Sequence, residues 1–243
     1  MLGLPGCSGG LTPASQAEPP GGAGTTADDP AAGQSLGEPL PKILNPTMAD
    51  LMAPGPLPER IMGRPDAPVT LIEYASLTCP YCRAFHEKGL SEIKRQYIDK
   101  GQVRLIVREF PIGKASGAAT VVNRCAPENK YFPLLNRFLL EQRLWVSQEV
   151  RRDAIFEVAK KEGFTRAAFD ACFEDRATID GLKWVKERGR QLGVVGTPTF
   201  FVQDQKLRTS PSLEQLREAI DAALGQKPVT AGKSAALQAP PVR

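Results

Sequence analysis

The sequence of 243 residues contains no run of 18 or more apolar residues, so no transmembrane helix is found in it. It has a single histidine, His86, which leaves few partners for a zinc ion. It has no strong charge bias: 31 Lys and Arg stand against 27 Asp and Glu, a net charge of +4. Acidic and basic residues alternate along the candidate helices, the ordinary pattern of solvated faces. No signature of nucleic-acid binding is present, and no nucleic-acid partner is expected.

No secretory signal is recognisable in the given residues, because Met1 to Gly6 is too short for a charged region plus an apolar core. Yet Leu4-Pro5-Gly6-Cys7 is similar to the end of a bacterial lipoprotein signal, in which the cysteine becomes the lipidated first residue. On that reading Cys7 carries a lipid anchor and the start site is placed too late or an upstream signal is left out. The alternative is a stray thiol in a floppy tail. Gly and Pro number 22 each and crowd into the first 60 or so residues. Ser8 to about Asn45 holds almost no aromatics and cannot bury enough apolar surface to offset chain entropy, so it reads as a tether. Pro46 to Gly63 is richer in apolar side chains (Met48, Leu51, Met52, Leu57, Ile61) and reads as an ordered lead-in. The expected organisation is a tether over 1–49, one domain over 50–224 and a disordered tail over 225–243.

Within the domain, Val69–Ala75 reads as a strand and Cys79–Asp99 as a helix that Gly101 ends. Val103–Phe110 is a second strand, stopped by Pro111. From Lys114 to Leu192 only helices are expected, roughly Lys114–Ala126, Tyr131–Gln142, Gln148–Glu162, Thr165–Phe173 and Arg176–Leu192. Thr199–Gln203 follows as a short strand, Asp204-Gln205 as a turn, Lys206–Arg208 as a return strand, and Ser212 caps a last helix over Leu213–Leu224. The order is β-α-β, a helical block over about 111–195, then β-β-α. A strand–helix–strand unit makes a right-handed parallel crossover, and the hairpin completes a four-stranded sheet. The fold class is α/β: a thioredoxin-like fold with an inserted all-helical subdomain.

The five cysteines sort into Cys79 and Cys82 in Cys79-Pro80-Tyr81-Cys82, Cys125 and Cys172 as a candidate second pair, and Cys7. A CxxC that follows a strand and opens a helix is a redox placement. At the helix N-terminus, unpaired N–H groups and the dipole stabilise the Cys79 thiolate, the reactive form. Cys82, one turn on, resolves the mixed disulfide. Pro80 and Tyr81 lie between the two and tune them. The competing reading is a zinc half-site, which needs two further Cys or His ligands; His86 lies on the same helix. No metal and no cofactor is expected.

Gly196-Thr197-Pro198 precedes an apolar strand, where this topology calls for a cis X–Pro peptide facing the CxxC and offering the Thr197 backbone to an extended peptide. Glu73 stands six residues before Cys79. A carboxyl beneath a buried resolving thiol can relay its proton; an ordinary outward-facing strand Glu is the alternative, and apolar Ile72 and Tyr74 on either side do not settle its face. The relay is favoured. His86 could stabilise thiolate as a cation, but the favoured reading is a helix-surface residue with no role. Cys125 and Cys172 lie on separate predicted helices, where a disulfide would staple the insertion and two unrelated buried thiols are the alternative.

Val69-Thr70-Leu71-Ile72-Glu73-Tyr74, then Cys79-Pro80-Tyr81-Cys82-Arg83-Ala84-Phe85-His86, the helical block and Gly196-Thr197-Pro198-Thr199-Phe200 together resemble the DsbA-like family of bacterial disulfide oxidoreductases. The lead-in Pro54-Gly55-Pro56-Leu57-Pro58 and Gly63-Arg64-Pro65-Asp66-Ala67-Pro68-Val69 is similar to the alphaproteobacterial branch. The resemblance covers about Asp50 to Leu224. It implies a periplasmic enzyme that oxidises the thiols of exported proteins and is reoxidised by a membrane redox partner of the DsbB type. It also implies an acidic residue at the Glu73 position below the cysteines, and a non-catalytic disulfide in the insertion, which supports Cys125 with Cys172. The chain departs from the best-known oxidases at Tyr81, where they have His, and at Thr197, where they have Val. Tyr occurs in glutaredoxins and isomerases, and Thr in isomerases. A disulfide isomerase or reductase is therefore the enzymatic alternative. A periplasmic module that holds Cu(I) through the CxxC thiolates and a purely structural or chaperone-like surface module are the others.

Overall fold

The computed structural model describes residues 42–225. Cys7, 1–41 and 226–243 lie outside the described residues.

The sheet is built around strand β2, Val69–Ala75, all seven residues of which are buried. A strand covered on both faces carries apolar residues continuously instead of alternating them, and for that reason the sequence around Glu73 does not show which way it points. The packing does. Val69, Leu71 and Ala75 belong to the main core with Phe85, Ile93, Phe200 and Ile220, whereas Ile72 and Tyr74 belong to a second cluster with Leu51, Ile106, Phe110, Leu192 and Phe201. The period of two along a strand puts Glu73 on the first of these faces. β2 pairs in parallel with β3 (Val103–Glu109) and antiparallel with β4 (Thr199–Val202).

The sheet has five strands in the order β1-β3-β2-β4-β5, one more than the sequence reading expects. The extra strand, β1 (Arg60–Met62), lies antiparallel on the outer edge of β3. It has three residues and begins with Arg, too short for any alternation to register. The terminal hairpin also differs by one position. Its turn is Gln203-Asp204, with Gln203 at φ 54°, so the return strand β5 is Gln205–Lys206 rather than Lys206–Arg208.

The lead-in is ordered from further upstream than position 50. The Ile43 N–H donates to the Gln191 carbonyl at 2.7 Å, and Thr47 and Asp50 form a reciprocal capping box on the short helix α1 (Met48–Leu51). Ile43, Met48 and Met52 pack on the face that Ile72 and Tyr74 present, which offsets the entropy of ordering them.

Residues 80–98 form one continuous helix, α2, in which α-helical segments Pro80–Ala84 and Leu90–Ile93 alternate with π-helical segments Phe85–Gly89 and Lys94–Ile98. Between β3 and β4 stand the inserted helices: α3 (Gly113–Cys125), α4 (Glu128–Leu140), α5 (Gln142–Trp145), α6 (Arg152–Lys160), α7 (Arg166–Ala171) and α8 (Arg176–Gln191). α4 starts three residues earlier than the pattern suggests, directly after Pro127, and α6 starts at Arg152 rather than Gln148. Buried Tyr131, Phe138, Trp145, Ile155 and Phe169 make this block continuous with the main core. A disulfide joins Cys125, the last residue of α3, to Cys172, just past α7. Helix α9 (Leu213–Ala223), opened by the Ser212 cap and its box with Gln215, closes the domain.

Candidate active site

Cys79 occupies the N-cap position of α2, in extended backbone geometry, and Pro80 is the first helical residue. Proline suits that position, since it has no N–H to leave unpaired. The N–H groups of Tyr81 and Cys82 at this helix start favour the Cys79 thiolate. The loop that carries Cys79 is fastened on several sides. The Cys79 N–H donates to Ser76 O at 3.0 Å, and the Ser76 hydroxyl accepts the Ile112 N–H at 3.2 Å and lies 2.9 Å from the Ser116 hydroxyl. Thr78 Oγ1 donates to Ile112 O at 3.1 Å. From the insertion, the buried Gln142 amide donates to Leu77 O at 2.8 Å and to Cys79 O at 3.0 Å. Nothing in the sequence near Gln142 marks it as part of the site; the nearest signal is a polar residue between the apolar runs that end at Leu140 and begin at Leu144.

Opposite Cys79, the Thr197–Pro198 peptide is cis. The Cys79 thiol donates to Thr197 O at 3.1 Å. The Thr197 hydroxyl is buried with no hydrogen-bond partner among the described residues. The Cys79 pKa falls to about 6, foremost through hydrogen bonding from the Cys82 thiol. Burial opposes the shift, while Thr197 and the N–H groups of Cys82 and Tyr81 add to it. Cys82 behaves oppositely. It is fully buried, and burial, then its bond to Cys79 and the charges of Cys79 and Glu73, hold its pKa well above the ordinary thiol range. Both are free thiols in this structure.

Glu73 is fully buried, with Oε2 2.9 Å from His86 Nε2. This corrects the reading of His86 as a surface residue. His86 sits in the first π-helical segment of α2 and is buried there, with Nδ1 3.1 Å from Oδ1 of Asn136 on α4. The inserted helix covers the side of α2 that would otherwise meet water, so Phe85 and His86, neighbours in sequence, are both interior. Burial disfavours the charged ring, but Glu73 beside it, with help from Asn136, outweighs burial and raises its pKa. Tyr81, between the two cysteines, is 41% exposed, and Ile112 and Val195 are exposed as well. Cys125 and Cys172 are bonded to each other, which removes the thiols a zinc site at the CxxC would have drawn on.

The family profile described as thioredoxin matches residues 57–222, well over half of the chain. The chain belongs to the thioredoxin family. Within that family it is DsbA-like, with the helical block inserted into the thioredoxin-like sheet. A putative protein-disulfide oxidoreductase of Rickettsia conorii is 26% identical over 171 residues, covering 70% of this chain and 61% of that protein. A probable disulfide bond formation protein D of Bacillus anthracis is 25% identical over 174 residues, 67% of this chain and 77% of that protein. The crystal structure of alpha-DsbA1 of Wolbachia pipientis matches with a TM-score of 0.65 at 28% identity, over 74% of this chain and 96% of that one. The chain thus spans about three fifths of the length of its rickettsial relative.

Proposed function

We propose that the protein is a thiol:disulfide oxidoreductase that oxidises cysteine pairs of exported proteins through Cys79 and Cys82. The observation that carries this reading is the contrast between the two sulfurs: a half-exposed thiol with a pKa near 6 bonded to a buried one held far above the ordinary range. A substrate thiolate attacks Cys79 of the oxidised pair. The Cys79–Cys82 bond breaks, Cys82 leaves with the electron pair and is protonated, and Cys79 holds the substrate as a mixed disulfide. The second substrate thiolate attacks the substrate sulfur, and Cys79 departs as a stabilised thiolate. Two electrons have passed from substrate to enzyme. Stabilising the thiolate of the reduced form makes a CxxC couple more oxidising. The cis-proline loop supports the same reading, since its edge can pair with an extended peptide without regard to sequence.

Tyr81 and Thr197 support a second direction, isomerase or reductase. The reduction potential and the refolding of scrambled ribonuclease decide between them: a strongly oxidising couple without unscrambling fits the oxidase, and a mildly oxidising protein that unscrambles substrate fits the alternative. The family resemblance further suggests a periplasmic location and reoxidation by a membrane partner of the DsbB type, and the sequence Leu4–Cys7 suggests a lipid anchor on Cys7. The main test is trapping. Cys82→Ala should accumulate mixed disulfides between Cys79 and exported proteins, and their absence would refute the proposed function.

A further inference from the structure

A groove of about 640 Å³ runs along α3 and α8. Positions 114, 117, 118 and 121 of α3 and 179, 182, 183 and 186 of α8 border it, the spacing of one face of each helix. Its apolar walls are Ala118, Val121, Val150, Phe173, Ile179 and Leu182. Ala118, Val150 and Phe173 also pack on the main core, so core contacts cover only part of each. At Gly117 a Cβ would meet no atom within 4 Å, so the side chain that is missing there is space in the groove. The ionisable residues of the groove are all cations: Lys114, Arg152, Lys183 and Lys186. They are not equivalent. Lys183 lies 2.6 Å from Asp180, and Arg152 lies 3.7 Å from Asp170 with its guanidinium 3.9 Å from the centre of the Phe173 ring. Lys114 and Lys186 have no ion pair among the described residues, and Lys186 Nζ donates to Pro111 O at 2.6 Å. That bond brings Lys186 to the start of α3, where Lys114 also stands, so the two unpaired cations share one end of the groove. Val121 lies about two turns further along α3 and Ile179 about two turns back along α8, roughly 10 Å away. Burial and the charge of Arg190 lower the Lys186 pKa, a penalty that an anion beside it would relieve.

We propose that this groove binds a single-chain anionic amphiphile, a free fatty acid of medium chain length, with its carboxylate at Lys114 and Lys186 and its chain along Ala118, Val121, Val150 and Phe173. Unpaired charge at one end and apolar side chains at the other match a molecule with one anionic head and one tail. An acidic peptide would set carboxylates along its length, where Lys183 and Arg152 already have partners. A phospholipid has two chains to place in a groove of the size that takes one drug-sized ligand. The walls are mostly apolar and the polar groups few, which is the composition of a small-molecule site. None of Cys79, Cys82, Glu73 and Pro198 borders the groove, so this binding stands apart from thiol exchange.

Isothermal titration of the full-length protein with decanoate, kept below the concentration at which it forms micelles, should show one equivalent bound. Hexanoate keeps the head and shortens the tail, and should bind at least about tenfold more weakly. Decyltrimethylammonium keeps the tail and reverses the charge, and should not bind. The double variant Lys114→Gln/Lys186→Gln should bind decanoate at least about tenfold more weakly, as the loss of charge-assisted contacts would. Gly117→Leu fills the groove from within and should abolish binding. Helix content by circular dichroism should survive that change, because leucine favours a helix interior over glycine. The Cys79 alkylation midpoint should stay where it is in both variants. Should Gly117→Leu fail to fold, the lysine pair still decides. Binding of several equivalents, equal binding of the cationic amphiphile, or binding that neither variant weakens would mean surface adsorption and overturn the proposal. So would a failure of decanoate to bind. In that case a wild-type dimer that Gly117→Leu converts to monomer in sedimentation would assign the groove to a second copy, and an acidic apolar peptide whose binding Gly117→Leu removes would assign it to a polypeptide.

Discussion

Cys79 gains reactivity from what its position costs the neutral thiol relative to the thiolate. With the folded pKa near 6 and an unperturbed thiol near 9, the thiolate contributes stability to the reduced fold that is complete above about 9 and is lost as the pH falls through about 6. Alkylation of the reduced protein should therefore titrate at Cys79 with a midpoint near 6, with Cys82 silent through the neutral range. The reduced wild type should also lose stability toward acid relative to Cys79→Ser across that window. A midpoint near that of a free thiol would show that the helix end and the Cys82 bond do not act as described. Thr197→Val removes a hydroxyl that helps lower this pKa, and the alkylation midpoint should rise. The positions of Cys79, Cys82 and Pro198 could be read from the sequence, because spacing and order alone place them. The surroundings of His86 could not. Its burial is decided by an inserted helix whose Asn136 stands 50 residues further along, and Asn136 carries no mark that would connect the two.

The inserted helices do more than cover the sheet: they hold the active-site loop in place. Gln142, on the one-turn helix α5, donates to the Leu77 carbonyl and joins the Arg83 N–H on the Cys79 carbonyl. Gln142→Ala leaves the Leu77 carbonyl short of a donor, while the Cys79 carbonyl keeps the Arg83 N–H at 3.1 Å, at a cost of about 1–3 kcal/mol. Thermal unfolding should report that loss, and thiol-exchange rates should fall with it, since the Cys79 carbonyl fixes the start of α2. Unchanged rates in a destabilised variant would assign Gln142 to stability alone. The elements themselves divide by how they advertise their partners. α2, β2 and β3 are long enough for periodicity or continuous burial to show in the residues. β1 and the Gln203-Asp204 turn are not, because three paired residues or one residue at positive φ depend on a neighbouring strand rather than on their own pattern.

A mixed sheet with a helical block inserted between β3 and β4 poses a problem of chain connectivity, since the block folds against the sheet yet is joined to it only at its two ends. The disulfide between Cys125 and Cys172 acts on that problem. It bridges a separation of 47 residues, from the end of α3 to just past α7, and encloses α4, α5, α6 and α7. It therefore surrounds Gln142 and Asn136, the residues by which the block reaches the active-site loop and His86. Closing a loop of that length removes about 4 kcal/mol of chain entropy from the unfolded state in the simplest account. Replacing both cysteines with Ser should lower stability by about 2–5 kcal/mol, read by denaturant unfolding of the otherwise identical protein. Neither sulfur belongs to the exchange site, so the folded double variant should keep the Cys79 alkylation midpoint. Its resolving step should slow only as the temperature nears the new unfolding transition, when α4 and α5 no longer hold their partners. If the double variant were as stable as the parent, the staple would be idle. If its Cys79 midpoint moved at low temperature, the insertion would be setting the chemistry of the site directly and not merely holding it in position.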